Sequence, residues 1–166
     1  LGASAGVAID TSIIYGDEDG IKEGVKELGA ARGTYFLETK IVTKDYDHYF
    51  KHASVAAEID DNLEQLGVSY VDLTLIHFPS TDAADNAEAW AALEEALAAN
   101  QTRSIGVSNF SPDDLEALKS TATVWPPAVN QLELSVSYHD DAALAYNAKE
   151  GIVVQAYSPL CGGFNG

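Results

Sequence analysis

"YVDLTLIH", residues 70–77, is a short, nearly continuous apolar run with Val71, Thr74 and Ile76 as its β-branched members and a histidine at its end. It is too short for a core helix, and its lack of polar alternation is that of a strand covered on both faces, as in a parallel sheet. Upstream, Val55, Ile59, Leu63 and Leu66 recur at spacings of four, four and three, one apolar stripe of a helix that Gly67 can terminate. Downstream, Trp90, Leu93 and Leu97 repeat the stripe. A buried strand between two amphipathic helices is the unit from which the rest of the chain reads.

The same kind of run occurs at "GVAID" (6–10), "TYFLETK" (34–40), "RSIGVSNF" (103–110), "PAVNQLELS" (127–135) and "GIVVQAYSPL" (151–160). Helical patterns separate them. One is expected at about Ile21 to Leu28, one starts at Ser111 with Pro112, Asp113 and Asp114 as cap, first-turn proline and first-turn acids, and one spans about Ala142 to Lys149. Strands alternating with helices predict an α/β protein with a parallel sheet, closed into a barrel or doubly wound. Neither GxGxxG nor GxxxxGK[ST] is present, which turns the reading toward a (β/α)8 barrel of which about six βα units are represented. No Ser/Pro-rich linker interrupts residues 1–166, so a single domain is expected.

Composition narrows the function classes. Nine Lys and Arg against 26 Asp and Glu give a net charge of −17, which repels phosphate backbones and anionic lipid surfaces, so neither nucleic acid nor membrane insertion is expected. The excess acid reads as a solvated surface. Cys161 is alone, so no disulfide forms within the chain and a reducing compartment is expected, the cytoplasm or an organelle interior. The chain begins at Leu1 and contains no Met, as a processed or incomplete start would.

In a (β/α)8 barrel the chemistry gathers at the C-terminal ends of the strands. Those ends carry Asp10 with Tyr15 just beyond, Lys40, His77, Ser108 with Asn109, Gln131 with Glu133, and Tyr157 with Ser158. Taken singly, each is more often a packed or solvated side chain than a reactive one. His48 and His52, with Asp45 and Asp47 nearby, read as a solvent-exposed loop rather than a metal site, and "DEDG" (17–20) lacks the alternating ligands of a calcium loop. No metal is expected.

As a set, "IDTSIIYGDE", "ETK", "DLTLIHFP", "IGVSNF", "AVNQLE" and "AYSPL", in this order over essentially the whole chain, resemble the aldo-keto reductase family. That resemblance implies a barrel that reduces aldehydes and ketones to alcohols with NADPH, with Tyr15, Lys40, Asp10 and His77 as its catalytic tetrad. Elementary chemistry agrees: a phenol donates a proton poorly at neutral pH unless a cation such as Lys40 favours its ionised form, and Asp10 would hold that cation in place. His77 would orient a carbonyl while Tyr15 protonates it. The match also implies Ser108, Asn109 and Gln131 on the nicotinamide carboxamide, Tyr157 stacked on the ring, Ser158 and Leu160 in the cofactor-binding set, and Phe78 as an apolar wall of the substrate pocket where many members carry Trp.

The pattern departs from the family in extent. The motifs correspond to its second to seventh strands, so its first and eighth are expected to be missing, leaving open barrel edges that a protein partner would cover. The family's basic loop for the adenosine 2′-phosphate follows its eighth strand, and no Lys or Arg follows Lys149 here. A catalytically silent structural or regulatory subunit is the alternative expectation.

Overall fold

The computed structural model describes residues 6–42 and 52–160. Six strands alternate with five α-helices: β1 (Val7–Asp10), α1 (Glu18–Glu27), β2 (Tyr35–Ile41), α2 (His52–Leu66), β3 (Leu73–Ile76), α3 (Ala83–Ala98), β4 (Ile105–Ser108), α4 (Pro112–Lys119), β5 (Val129–Glu133), α5 (Asp141–Glu150) and β6 (Val153–Tyr157). All neighbouring strands pair in parallel and their spatial order is their chain order. Each right-handed crossover then steps one strand in the same direction and leaves its helix on the same face. The opposite face is concave.

The two faces differ in chemistry because successive residues of a strand alternate between them. Leu37, Ile41, Ile76, Ile105 and Val107 join Val55, Ile59, Leu63, Trp90, Leu93 and Leu115 of the helices in one buried apolar cluster. Burial of each such side chain stabilises the fold by about 1.5–3 kcal/mol. Glu38, Lys40, Ser108, Gln131 and Gln155 lie on the concave face. Side chains of β2 and β6 meet there, with Gln155 Nε2 donating to Glu38 Oε2 at 2.9 Å. A flat sheet would hold those strands about 19 Å apart at ordinary strand spacing, so the sheet is curled into part of a barrel.

Helix boundaries follow local chemistry. Ser111 and Asp114 form a reciprocal capping box with Pro112 in the first turn of α4. Gly67 closes α2 with φ +65°, a left-handed conformation that glycine adopts without penalty. The expected helix at 21–28 begins earlier, at Glu18, with Glu18 and Asp19 as acids in its first turn, while the Asp17 side chain accepts a 2.6 Å bond from Thr11 Oγ1 instead of capping it. At the N-terminal end of the strands, Arg32 donates to the carbonyls of Tyr70 and Tyr35 and pairs with Asp72 at 2.6 Å, tying the entry of β2 to that of β3.

Coverage of every strand on both faces holds for β3 and β4, which are buried along their whole length, and for β2 from Leu37 onward. It fails at β1 and β6, where Val7 is 69% and Val153 58% exposed, because each has a neighbour on one side only. In the α3 stripe, Trp90 and Leu93 are buried while Leu97 is only partly so.

Gly106 of β4 is constrained by close approach. A Cβ there would lie 2.6 Å from the Val129 carbonyl oxygen and 2.8 Å from Leu75 Cδ2. Gly106→Ala is therefore expected to destabilise the fold by about 2 kcal/mol or more through overpacking, whereas Gly20→Ala in α1, with open space around it, stabilises by about 0.5–1 kcal/mol. Urea denaturation of both variants checks the contrast.

Candidate active site

The strand ends deliver their polar groups to one place on the concave face. Lys40 near the end of β2 is wholly buried, pairs with Asp10 at the end of β1, and donates to the Thr11 carbonyl at 3.2 Å. After β1 the chain makes a 3-10 turn over Ile13–Tyr15, which swings the Tyr15 ring back so that Lys40 Nζ sits 5.1 Å from its centroid. Tyr15 Oη lies 3.5 Å from His77 Nε2, and His77 Nδ1 lies 3.2 Å from Ser12 Oγ. The Tyr15 and His77 rings meet edge to face at 5.7 Å. Tyr15 is 49% exposed, so its hydroxyl borders the open mouth while Lys40 is sealed below it.

A second chain of contacts adjoins the first. Asn109, at φ +63°, donates from Nδ2 to the His77 carbonyl and to Ser108 Oγ, both at 3.0 Å, and its Oδ1 accepts from Tyr157 Oη at 2.8 Å. Ser108 Oγ donates to the Gln131 carbonyl at 2.9 Å. Gln131 turns its amide N–H2 to two carboxyl groups, Asp10 Oδ2 at 3.0 Å and Glu38 Oε1 at 2.9 Å. Eight residues chosen from sequence, Asp10, Tyr15, Lys40, His77, Ser108, Asn109, Gln131 and Tyr157, thus form one connected network.

The remaining expectations fare differently. Phe78 is 42% exposed and stacks on His77 at 4.5 Å, an apolar flank to the histidine. Ser158 sits just beyond β6 with φ +49°, and Leu160 is 68% exposed; neither joins the network among the described residues. Of the dismissed histidine pair, His52 starts α2 and contacts Glu95 at 3.2 Å, while His48, Asp45 and Asp47, like Cys161, lie outside the described residues. Among the described residues no His/Cys/Asp/Glu group suits a metal ion.

Glu38, Ser12 and Gln155 contact this network and are neighbours that sequence reasoning missed. Burial chiefly, with the Asp10 carboxylate adding, raises Glu38 to about 7 despite the opposing Gln155 bond and Lys40 charge. Burial chiefly, reinforced by the Lys40 cation and opposed by Asp10, lowers His77 to about 4, so the imidazole is neutral at physiological pH. The cluster therefore combines a sealed cation, a half-exposed phenol and a neutral imidazole, a set able to donate hydrogen bonds and a proton to a small polar group at the mouth.

Comparison with known proteins decides the lineage. The profile of the Aldo/keto reductase family matches residues 3–165. The chain belongs to the aldo/keto reductase family. It is 37% identical over 157 residues to morphine 6-dehydrogenase of Pseudomonas putida, covering 95% of this chain and 51% of that protein. To an aldo-keto reductase of Mycolicibacterium vanbaalenii it is 38% identical over 152 residues, covering 92% and 53%. Among solved structures, an aldo/keto reductase from Brucella melitensis superposes with a TM-score of 0.86 at 36% identity over 93% of this chain and 58% of its own. A Bombyx mori aldo-keto reductase in complex with NADP gives 0.81 at 32%, over 91% and 51%. The chain spans about half the length of the curated relatives it matches. Its six strands are a truncated (β/α)8 barrel of this family's type.

For His77 the sign is fixed by the direction of its shift. Stability owed to the neutral ring is full above the unfolded-state value of 6.5 and is lost as pH falls toward about 4. Its ring nitrogens, followed by 15N NMR, should remain those of a neutral imidazole from pH 8 down to about pH 5; imidazolium resonances at pH 6 would contradict the burial argument.

Proposed function

We propose that the protein reduces the carbonyl group of a small aldehyde or ketone to an alcohol, with NADPH as reductant. The observation that carries this reading is the convergence of Asp10, Lys40, Tyr15 and His77, in the order the family match implies, at the C-terminal ends of adjacent barrel strands.

The residues present fit the nicotinamide end of the cofactor. Gln131 Oε1 has no donor among the described residues and suits a carboxamide N–H2, Ser108 and Asn109 border it, and the Tyr157 ring offers a flat apolar surface beside them. The choice of NADPH rests on family membership and on the NADP held by the Bombyx mori relative. When bound, the cofactor supplies the hydride that adds to the carbonyl carbon.

The chain's own groups handle the proton. Ser12 Oγ has two acceptors in reach, His77 Nδ1 at 3.2 Å and the Lys40 carbonyl at 3.4 Å; the proposed reduction uses the tautomer in which Ser12 donates to Nδ1 and the ring proton is on Nε2. Nε2–H and Tyr15 O–H then point to the same space and both donate to one substrate oxygen. As negative charge develops on that oxygen, Tyr15 gives up its proton and His77 keeps its own. The Lys40 cation, below the Tyr15 ring, stabilises the phenolate left behind, and Asp10 keeps that cation in place. Phe78, stacked on His77, walls the mouth with apolar surface.

Tyr15→Phe in the protein at its natural full length is expected to lower kcat at least about 100-fold while leaving NADPH affinity within about twofold. Turnover is followed by NADPH oxidation; a variant as fast as its parent would remove Tyr15 from the chemistry.

A further inference from the structure

Glu38 is a buried carboxyl that the reduction scheme above leaves without a role, yet it accepts hydrogen bonds from two strands across the barrel. It stands two residues before Lys40 on the concave face of β2 and is 2% exposed. Its Oε1 accepts from Gln131 of β5 at 2.9 Å and its Oε2 from Gln155 of β6 at 2.9 Å. The second N–H of Gln131 goes to Asp10 Oδ2 at 3.0 Å. Both donors of the Gln131 amide are thereby spent on carboxyl groups, and its carbonyl oxygen is the atom left to face a ligand.

We propose that Glu38 is a positioning residue of the cofactor site: by holding the Gln131 N–H2 inward, its carboxylate makes Gln131 present an acceptor oxygen to the carboxamide N–H2 of a nicotinamide. The inference rests on the carbonyl reductase reading and adds a residue to it. Without Glu38, Asp10 alone holds the amide through one N–H, and the group is free to turn its other donor outward, where it would oppose the carboxamide N–H2 instead of accepting from it.

The device depends on charge. An ionised Glu38 offers an acceptor oxygen to each glutamine. Once protonated it needs an acceptor of its own, for which Asp10 is the neighbour, and its hold on the two amides weakens. The charged groups acting on it are Asp10 from β1 and Lys40 from its own strand, while β5 and β6 contribute the neutral amides. Burial foremost raises the carboxyl to about 7, so the switch lies within the physiological range.

The experiment measures the Kd of NADPH by fluorescence titration for the full-length parent and Glu38→Gln between pH 6 and pH 8.5. Glu38→Gln imitates the protonated carboxyl, so the variant should bind about tenfold more weakly at pH 8, and the two should converge to within about twofold at pH 6. Titration of the cofactor's own 2′-phosphate is common to both proteins and cancels in the ratio. Equal affinities at pH 8, or a ratio unchanged across the range, would overturn the proposal while leaving the reductase reading intact; a parent that binds no NADPH would overturn both. If Glu38→Gln does not fold, the parent alone is decisive through linkage. Saturating NADPH should move the 13C-detected Glu38 titration to lower pH, because a cofactor that binds better to the ionised form must favour that form, and an unmoved titration would overturn the proposal.

Discussion

An ammonium group sealed from water has to be matched by negative charge nearby, and Lys40 is that group here. Taking such an ion out of water costs several kcal/mol, and removing the partner of a buried pair costs about 3–5 kcal/mol. Asp10 answers the charge from the neighbouring strand, and the Thr11 carbonyl adds a second acceptor. Around that pair the other groups fall into place: Tyr15 lies over the cation, His77 meets the phenol, and Gln131 bridges Asp10 to Glu38.

The fold makes this pairing possible by two means. Parallel strands in chain order put Asp10 and Glu38 side by side in the β1–β2 register, with Lys40 two residues further along β2 and on the same face. Curling then brings β5 and β6 across to β2, which a flat sheet would keep far away. The acid-rich composition does not govern the site. What matters there is the local balance of one buried cation, one partly exposed carboxylate and one buried carboxyl whose proton is held to about 7.

Much of the strand and helix framework was legible because short apolar runs and apolar stripes at helical spacing were punctuated by Gly67, Ser111 and Pro112. The strand-end residues were legible as a set, since their order and spacing resemble the family's. Glu38 escaped notice although a signal existed: an acid inside an otherwise buried strand, two residues from Lys40 and so on its face. Its partners could not be read, because contacts between residues 38, 131 and 155 arise only from closure of the sheet. Ser12 depends on the tight turn after β1, which no periodicity announces. Glu18, in the acidic "DEDG" stretch that the sequence excludes only as a calcium loop, is 2% exposed and accepts from Thr39. The exposure of β1 and β6 does not show in their own strand character, which matches that of the covered strands; it was legible only through the resemblance, whose missing first and eighth strands leave these two as open edges.

The pairing of Asp10 with Lys40 is the claim on which the rest depends, and a double-mutant cycle measures it. Turnover and unfolding free energy would be determined for the full-length parent, Asp10→Asn, Lys40→Met and the double variant. The account predicts strong non-additivity, with the double variant little worse than the poorer single one and a coupling of about 1–3 kcal/mol in stability. Losses that simply add would mean that the two residues act independently, and would contradict it.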